Sequence, residues 1–446
     1  MLDTLTQYEA DHGHGRLQDI AVVPQSPGVL AGPLPVAALA TGSVAALCSA
    51  VDRYCRAADL DPQPWSIDGD RVASSFGGGD LLRVNGGAAP GFAPLSGFWP
   101  TADGWVRTHA NYPHHRDRLC ALLGVPDDPA AVATALARVS AREIEDSAAA
   151  AGALVVAVRT PSEWDDEPAG RFAATGPLVT TSVRPDGTSS LAEAPTDARR
   201  PLAGMRVLDL TRVLAGPVAT RVLALLGASV LRVDSPRLPE IETQHLDTGA
   251  GKASTLLDVE DPDQRDRLAA LATTADVVVR GYRPGSTVMS VVESVRPGGA
   301  VVASVSAWGT RGPFAGRRGF DSLVQAASGI AVLCGRDDRP GALPVQALDH
   351  ATGYLLAAGI VDALALRAQS GIGRTVTASL GRTAAHLLAL PRSADGGERT
   401  PIPETHTVTH GSVRTARPAL AEYDDYPWPA RPWGSDEPRY PTPETV

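Results

Sequence analysis

Residues 205–233 read MRVLDLTRVLAGPVATRVLALLGASVLRV, from Met205 to Val233. Met205 to Leu210 is a short apolar run of strand length, and Thr211 to Pro217 reads as a loop. Val218 to Leu226 is an apolar helical run stopped by Gly227, and Ser229 to Val233 is a second strand-like run. Together they make a βαβ unit. The alternation continues downstream. A strand over Thr255 to Val259 is followed by a helix opened by Asp261-Pro262 and a strand over Asp276 to Arg280. A helix after Arg283-Pro284-Gly285 and a strand over Ala300 to Val305 follow. Such a pattern predicts an α/β fold: an open parallel Rossmann-like sheet covered on both faces, with ligands at the carboxyl ends of its strands.

Around this large domain (residues 201–395) the chain changes character. Residues 86–193 carry Gly104-Trp105-Val106-Arg107-Thr108 as a strand, Arg116 to Leu123 and Pro129 to Val139 as helices, and Ala153 to Val158 as another strand. They are expected to form a smaller α+β domain. Residues 396–446 are loaded with proline, which forbids long helices and central strands, and Trp428 and Trp433 mark them as a strap packed on the surface.

Composition narrows the function classes. The net charge is −10 and no basic run stands out, so no nucleic-acid partner is expected. The N-terminus lacks a basic region followed by an apolar one, and no stretch approaches the length of uninterrupted apolar residues a membrane helix needs. A cytoplasmic protein with reduced cysteines and no membrane partner is expected. The loop of the βαβ unit has Gly216 where a dinucleotide fingerprint needs three glycines, and Pro217 removes an N–H from the helix start, although Asp234 stands where a ribose-binding acid would. Gly249 to Ser254 resembles a phosphate loop only in passing. His109, His114 and His115 fit no single helical face and read as solvated loop residues rather than metal ligands, and there is no G-x-S-x-G elbow.

One segment occurs twice. Leu34-Pro35-Val36-Ala37-Ala38-Leu39-Ala40-Thr41-Gly42 matches Leu343 to Gly353 at eight of nine aligned positions once Asp349 and His350 are skipped. Each copy runs into an Ala/Leu/Val-rich helix, so residues 1–85 read as a partial, degenerate large-domain-like helical segment. An Asp at a helix start ordinarily caps it. Capping needs should be alike in two copies of one unit, so an acid kept in only one copy points to chemistry. A carboxylate ionised at neutral pH can attack an activated acyl carbon without a general base.

The stretches PLAGMRVLDLTRVLAGPVATRVLALLGASVLRVDSP, GKASTLLDV, ADVVVRGYRPG, SAWGTRGPFAGRRGFDSLVQAASGI and LPVQALDHATGYLLAAGIVDALALRAQSGIG follow one another between Pro201 and Leu380. In that order they resemble the class III coenzyme A transferases, the CaiB/BaiF family. SGFWPTADGWVRTH, from Ser96 to His109, is similar to the start of that family's small domain. The resemblance implies an enzyme that moves coenzyme A from an acyl-CoA to a free carboxylic acid through an aspartyl anhydride and an aspartyl-CoA thioester. Asp349 would be the nucleophile. CoA enters as substrate, with no permanently bound cofactor and no metal.

The resemblance further implies CoA or substrate contacts at Arg212, Ala215, Tyr282, Arg318, Phe320 and His350: Tyr282 on adenine, Arg212 and Arg318 on phosphates or a carboxylate. Ordinary members pair as interlocked dimers, so a homodimer is among the assemblies implied. The order of parts departs from the family, since here a small-domain-like region and the acid-less copy precede the main sheet. Two alternatives stand beside the transferase. One is a 2-methylacyl-CoA racemase, although Phe320 occupies the position of its histidine. The other is a non-catalytic acyl-CoA-binding protein.

Overall fold

The computed structural model describes residues 2–15, 20–188, 195–282, 285–295, 298–392 and 398–442. Arg283-Pro284, the beginning of the proline-rich stretch at Ser393, and Pro443 lie outside them. A seven-stranded sheet dominates, in the spatial order Lys252–Leu256, Ser229–Asp234, Arg206–Leu210, Val277–Arg280, Val301–Ser306, Ile372–Ser379, Val179–Thr188. Six of these strands run parallel, and Val179–Thr188 closes the edge antiparallel to Ile372–Ser379. Numbered along the chain, the parallel strands lie 3-2-1-4-5-6, the order of a doubly wound sheet. The crevice for a ligand falls where the order reverses, beside the end of Arg206–Leu210.

Side chains alternate between two cores because successive strand residues face opposite ways. Val207, Val277, Val279, Val301 and Ala303 join the larger core, and Leu208, Leu210, Val278 and Val302 join a smaller one on the opposite face. The larger core is built around the Ala347–Ser370 helix, in which Leu355, Leu356, Ile360 and Val361 are fully buried. Each such side chain contributes about 1.5–3 kcal/mol by leaving water. This helix and Val36–Ala57 are both long and apolar enough to cross a membrane, yet most of each is covered by protein.

The repeat noticed in the sequence is wider than nine residues. Val36–Ala57 is followed by the strand Ser66–Asp68 and the helix Gly69–Phe76, as Ala347–Ser370 is followed by Ile372–Ser379 and Leu380–Ala389. Ser66–Asp68 pairs in parallel with Ala21–Val23, as Ile372–Ser379 pairs with Val301–Ser306. The two long helices lie against one another, clamped by Arg53, whose Nε and Nη2 donate to the Asp362 carboxylate at 2.7 and 2.8 Å. Tyr8 donates to the same carboxylate at 2.7 Å.

Residues that lie before the large domain in the chain therefore complete it. Val179–Thr188 extends its sheet, and Val36–Ala57 extends its core. A three-stranded sheet of Phe98–Pro100, Trp105–Thr108 and Val155–Ala157 holds a separate apolar cluster around Val106, Leu119 and Leu136.

Beyond residue 398 the chain runs as a strap. Two of its strands, Thr407–His410 and Val413–Ala416, form a four-stranded sheet with Arg83–Val84 and Gly87–Ala88, in which Val413–Ala416 pairs with Arg83–Val84. Further on it covers the open edge strand of the large sheet: Gly251 N–H donates to the Trp428 carbonyl at 2.9 Å and Asp436 N–H to the Ser254 carbonyl at 2.8 Å. Edge groups that would otherwise offer themselves to another chain are thus paired.

Candidate active site

The turn that leaves Arg206–Leu210 is held from inside. Asp209, fully buried, accepts from Thr211 and Thr220 hydroxyls at 2.5 and 2.6 Å and from Lys252 Nζ at 3.1 Å. Lys252 also donates to the Pro217 carbonyl at 3.0 Å, and burial pushes its ammonium down to about 8. The lone lysine of the phosphate-loop-like stretch therefore anchors the next helix, Ala215–Leu225, from beneath. Val213, in the turn, has φ of 72°, a left-handed conformation that a β-branched residue adopts only when its surroundings impose it. This strained residue aims the start of the Ala215 helix at the start of the Ala347 helix.

The two helices come close because Gly353 lacks a side chain. A Cβ there would lie 2.7 Å from the Ala215 carbonyl oxygen and 2.9 Å from Val218 Cβ. Asp349 stands one turn before Gly353, at the third position of its helix, and is 7% exposed. The Ala215 backbone N–H lies near enough to its carboxylate to favour the ionised form. Two helix N-termini, with their positive dipole ends, thus converge on one acid.

Asp349 does not cap its own helix. That task belongs to Asp321, whose Oδ2 accepts the Leu348 and Asp349 N–H groups at 2.9 and 3.0 Å while Gln325 donates to Oδ1. Burial pushes the Asp321 carboxyl up to about 6, against the pull of these donors and of the Arg107 charge. Asp349 is held well above the usual carboxylate range, first by burial and then by the charge on Asp321, with the Ala215 N–H pulling it back. With more donors around it, Asp321 keeps the negative charge and Asp349 takes the proton. The expectation of an acid ionised by default is corrected: desolvation and a neighbouring carboxylate both oppose it.

Asp349 opens on a cavity of about 470 Å³ that Asp321, Phe320, His350, His109 and Arg107 also line. Such a volume suits a small organic ligand. His350 stacks on Phe76 at 5.2 Å, its Nδ1 has no partner, and burial pushes it down to about 3. His109 lies flat on Phe320 with ring centroids 3.7 Å apart, and burial pushes it to about 3 as well. His109 and His115 are 4% and 5% exposed, so the reading of solvated loop histidines is corrected. Aromatic packing, invisible in a loop-like stretch containing Pro113, encloses them.

Of the residues named from the sequence, Asp349, Ala215, Phe320 and His350 come together here. Arg212 does not line this cavity: it pairs with Glu240 at 3.4 Å, donates to the Pro239 carbonyl at 2.9 Å and lies 5.1 Å over Tyr112. Tyr282 packs against the smaller core of the sheet. Arg318 donates to the Gly152 carbonyl at 3.2 Å and lines a separate, smaller cavity of about 80 Å³. Sequence reasoning missed Asp321 as the cap and Arg107 as a cavity residue. A helix start at Asp321 was the available signal for the first, and none marked the second.

The duplicated segment aligns in space without a gap. Pro35 and Gln346 are equivalent caps, with ψ of 62° each, and both are followed by the same tight turn, Val36 N–H to Leu34 O at 2.8 Å and Ala347 N–H to Val345 O at 2.7 Å. Ala38 therefore occupies the place of Asp349, and Leu39 that of His350. Asp349 and His350 are replaced in the N-terminal copy, not deleted, because a two-residue gap inside a helix would rotate every later side chain off its face. Gly42 corresponds to Gly353, and a Cβ on it would lie 2.7 Å from Thr4 Cβ. The Asp3–Asp11 helix thus sits against the first copy where Ala215–Leu225 sits against the second.

The model of the family described as CoA-transferase family III matches residues 202–416. The acetyl-coenzyme A transferase nodX of Hypoxylon pulicicidum is 35% identical over 199 residues, 42% of this chain and 33% of that one. An acyl-CoA transferase of Gibberella moniliformis is 34% identical over 247 residues, 52% of this chain and 43% of that one. The chain thus spans a third to under a half of the length of these curated relatives. Among solved structures, a CaiB/BaiF family protein from Brucella suis is similar at 28% identity and a TM-score of 0.39, over 43% of this chain and 56% of that one.

Proposed function

Residues 202–416 belong to CoA-transferase family III, and from that premise we propose that the protein moves coenzyme A from an acyl-CoA thioester to a free carboxylic acid, with Asp349 as nucleophile. One observation carries the reading: a buried carboxyl at the meeting point of two helix N-termini, opening on a cavity of small-molecule size. The Asp349 carboxylate attacks the thioester carbonyl, giving a mixed anhydride and CoA thiolate. The thiolate then attacks the Asp349 acyl carbon, forming an aspartyl-CoA thioester and releasing the first acid. An incoming carboxylate takes the aspartyl group as a new anhydride, and the thiolate attacks the incoming acyl carbon. Asp349 emerges as a carboxylate.

Each attack creates an oxyanion. The Ala215 N–H, at the start of its helix, is a donor fixed before the reaction begins, which is where such stabilisation is most effective. Ionising Asp349 is the step the resting site opposes, and its proton leaves to solvent through the cavity before the attack. CoA enters and leaves as substrate. Incubation with a panel of acyl-CoAs followed by hydroxylamine should leave a hydroxamate at Asp349, read by mass spectrometry. No modification with any donor would refute this reading.

The racemase is the second reading, favoured by one observation: two neutral histidines, His109 and His350, line the same cavity as Asp349. Deuterium washing from heavy water into the α-carbon of a branched acyl-CoA would select it.

A further inference from the structure

Arg107 has no part in the acyl transfers described above, yet it lines their cavity. It lies on the strand Trp105–Thr108, two residues before His109 and so on the same face, and it is 7% exposed. Its Cζ sits 4.7 Å over the Phe92 ring and 4.8 Å over the Phe98 ring. No hydrogen bond or ion pair joins the guanidinium to another described residue, and its Nε is buried without a partner. Asp321 is near enough to be felt, but its oxygens are taken by the Leu348, Asp349 and Gln325 donors. Burial pushes the guanidinium down to about 10, still well above neutral pH.

A buried guanidinium whose N–H groups have no hydrogen-bond partner is costly in a protein interior, and a charge nearby that accepts none of them does not remove that cost. The two phenylalanines hold the guanidinium by cation–π attraction and exclude water, and leave its N–H groups to be satisfied from the cavity. Those groups match a carboxylate, which accepts two parallel hydrogen bonds from one guanidinium. In the proposed transfer the reacting carbonyl is already served by the Ala215 N–H.

We propose that Arg107 receives a second carboxylate, carried by the acyl group away from its thioester, so that dicarboxylic acids and their mono-CoA thioesters are the acyl class this cavity takes. The assignment rests on the transferase reading and adds its substrate class.

Wild type, Arg107→Gln and Arg107→Lys would be compared with succinyl-CoA and glutaryl-CoA against butyryl-CoA and pentanoyl-CoA, reading the hydroxamate formed at Asp349. Binding of glutarate, pentanoate and free CoA would be measured by calorimetry on the same three proteins. Wild type should label faster with the dicarboxylic thioesters, and Arg107→Gln should collapse that preference by about a hundredfold, as when one partner of a buried charge pair is removed. Glutarate binding should weaken in parallel while Arg107→Lys keeps part of it. An unchanged preference in Arg107→Gln, or an equal loss of free CoA binding, would overturn the assignment. If no thioester labels Asp349, the transferase reading falls, and the glutarate and pentanoate affinities still decide whether Arg107 is a carboxylate site.

Discussion

The Asp321 carboxylate accepts the backbone N–H of Asp349 at 3.0 Å, so one buried acid caps the helix that carries the other. The same contact sets the charge of the pair. Asp321 collects two backbone donors and Gln325, and Asp349 is left with the Ala215 N–H beside a neighbouring negative charge. In the proposed transfer, structure and reactivity thus fall to different carboxyls, and substitutions can separate them.

Asp349→Asn should abolish the hydroxylamine-trapped adduct and at the same time stabilise the fold. A carboxyl held above its unfolded value binds its proton more tightly in the native state. Stability therefore falls as pH rises from the unfolded carboxyl range, about 4, until Asp349 ionises in the native protein. An amide escapes this loss while still accepting from Ala215. Thermal melts at pH 7 should show Asp349→Asn above wild type by on the order of 1 kcal/mol or more. A lower melting point together with wild-type labelling would leave Asp349 a purely structural residue.

Asp321→Asn should move the pH profile rather than remove activity. The amide oxygen still accepts from Leu348 and Asp349, but its negative charge is gone, and that charge is one of the causes that raise Asp349. The reactive species is the Asp349 carboxylate, so rate rises with pH through the Asp349 ionisation, and lowering that ionisation shifts the rise to lower pH. Labelling rate measured from pH 5 to 9 reads this directly; a rise that stays in place would show that Asp321 does not govern the nucleophile. Asp321→Ala, which loses the cap, should cost about 1–2 kcal/mol of stability.

Gly353→Ala tests the approach of the two helices. The added Cβ would meet the Ala215 carbonyl oxygen at 2.7 Å, a backbone atom that must shift as a unit with its helix. The expected result is a loss of about 1–3 kcal/mol, typical of overpacking, with a drop of at least about tenfold in labelling because the Ala215 N–H moves off the carboxylate. Chemical denaturation and labelling on the same sample separate the two effects, and unchanged labelling would show that this N–H is dispensable.

Placing the acid and its neighbour in the N-terminal copy, as Ala38→Asp with Leu39→His, should create no second labelled site. The start of that helix faces the Asp3–Asp11 helix through Gly42 and Thr4, where no counterpart of the Val213 turn stands among the described residues. Leu39 is fully buried, so the imidazole should also cost about 2–4 kcal/mol. Peptide mapping after hydroxylamine treatment would find a hydroxamate at Asp349 alone; one at residue 38 would show that the first copy retains a working pocket.

The alternation from Met205 onward made the parallel sheet legible, because short apolar runs separated by helical periods have few other ways to bury themselves. Residues 179–188 carry no comparable signal. Their strand is defined by antiparallel pairing with Ile372–Ser379, a contact between distant parts of the chain. The skipped alignment of the two copies was the best match of letters, yet the caps at Pro35 and Gln346 rule it out, since helix geometry counts every residue. Likewise His109, His114 and His115 look solvated beside Pro113, and only Phe320, some two hundred residues later, closes over His109.

The sequence by itself determined the sheet, the repeat and the presence of an acid in one copy alone, all of which follow from local periodicity and from comparing the chain with itself. The tertiary structure alone decided what that acid experiences. Its elevated protonation depends on burial and on Asp321, its nearby N–H on the Ala215 helix, and part of its cavity's lining on Arg107 between two phenylalanines. Charge and desolvation act through space over a few ångströms, and no spacing along the chain reports which distant groups folding will bring within that reach.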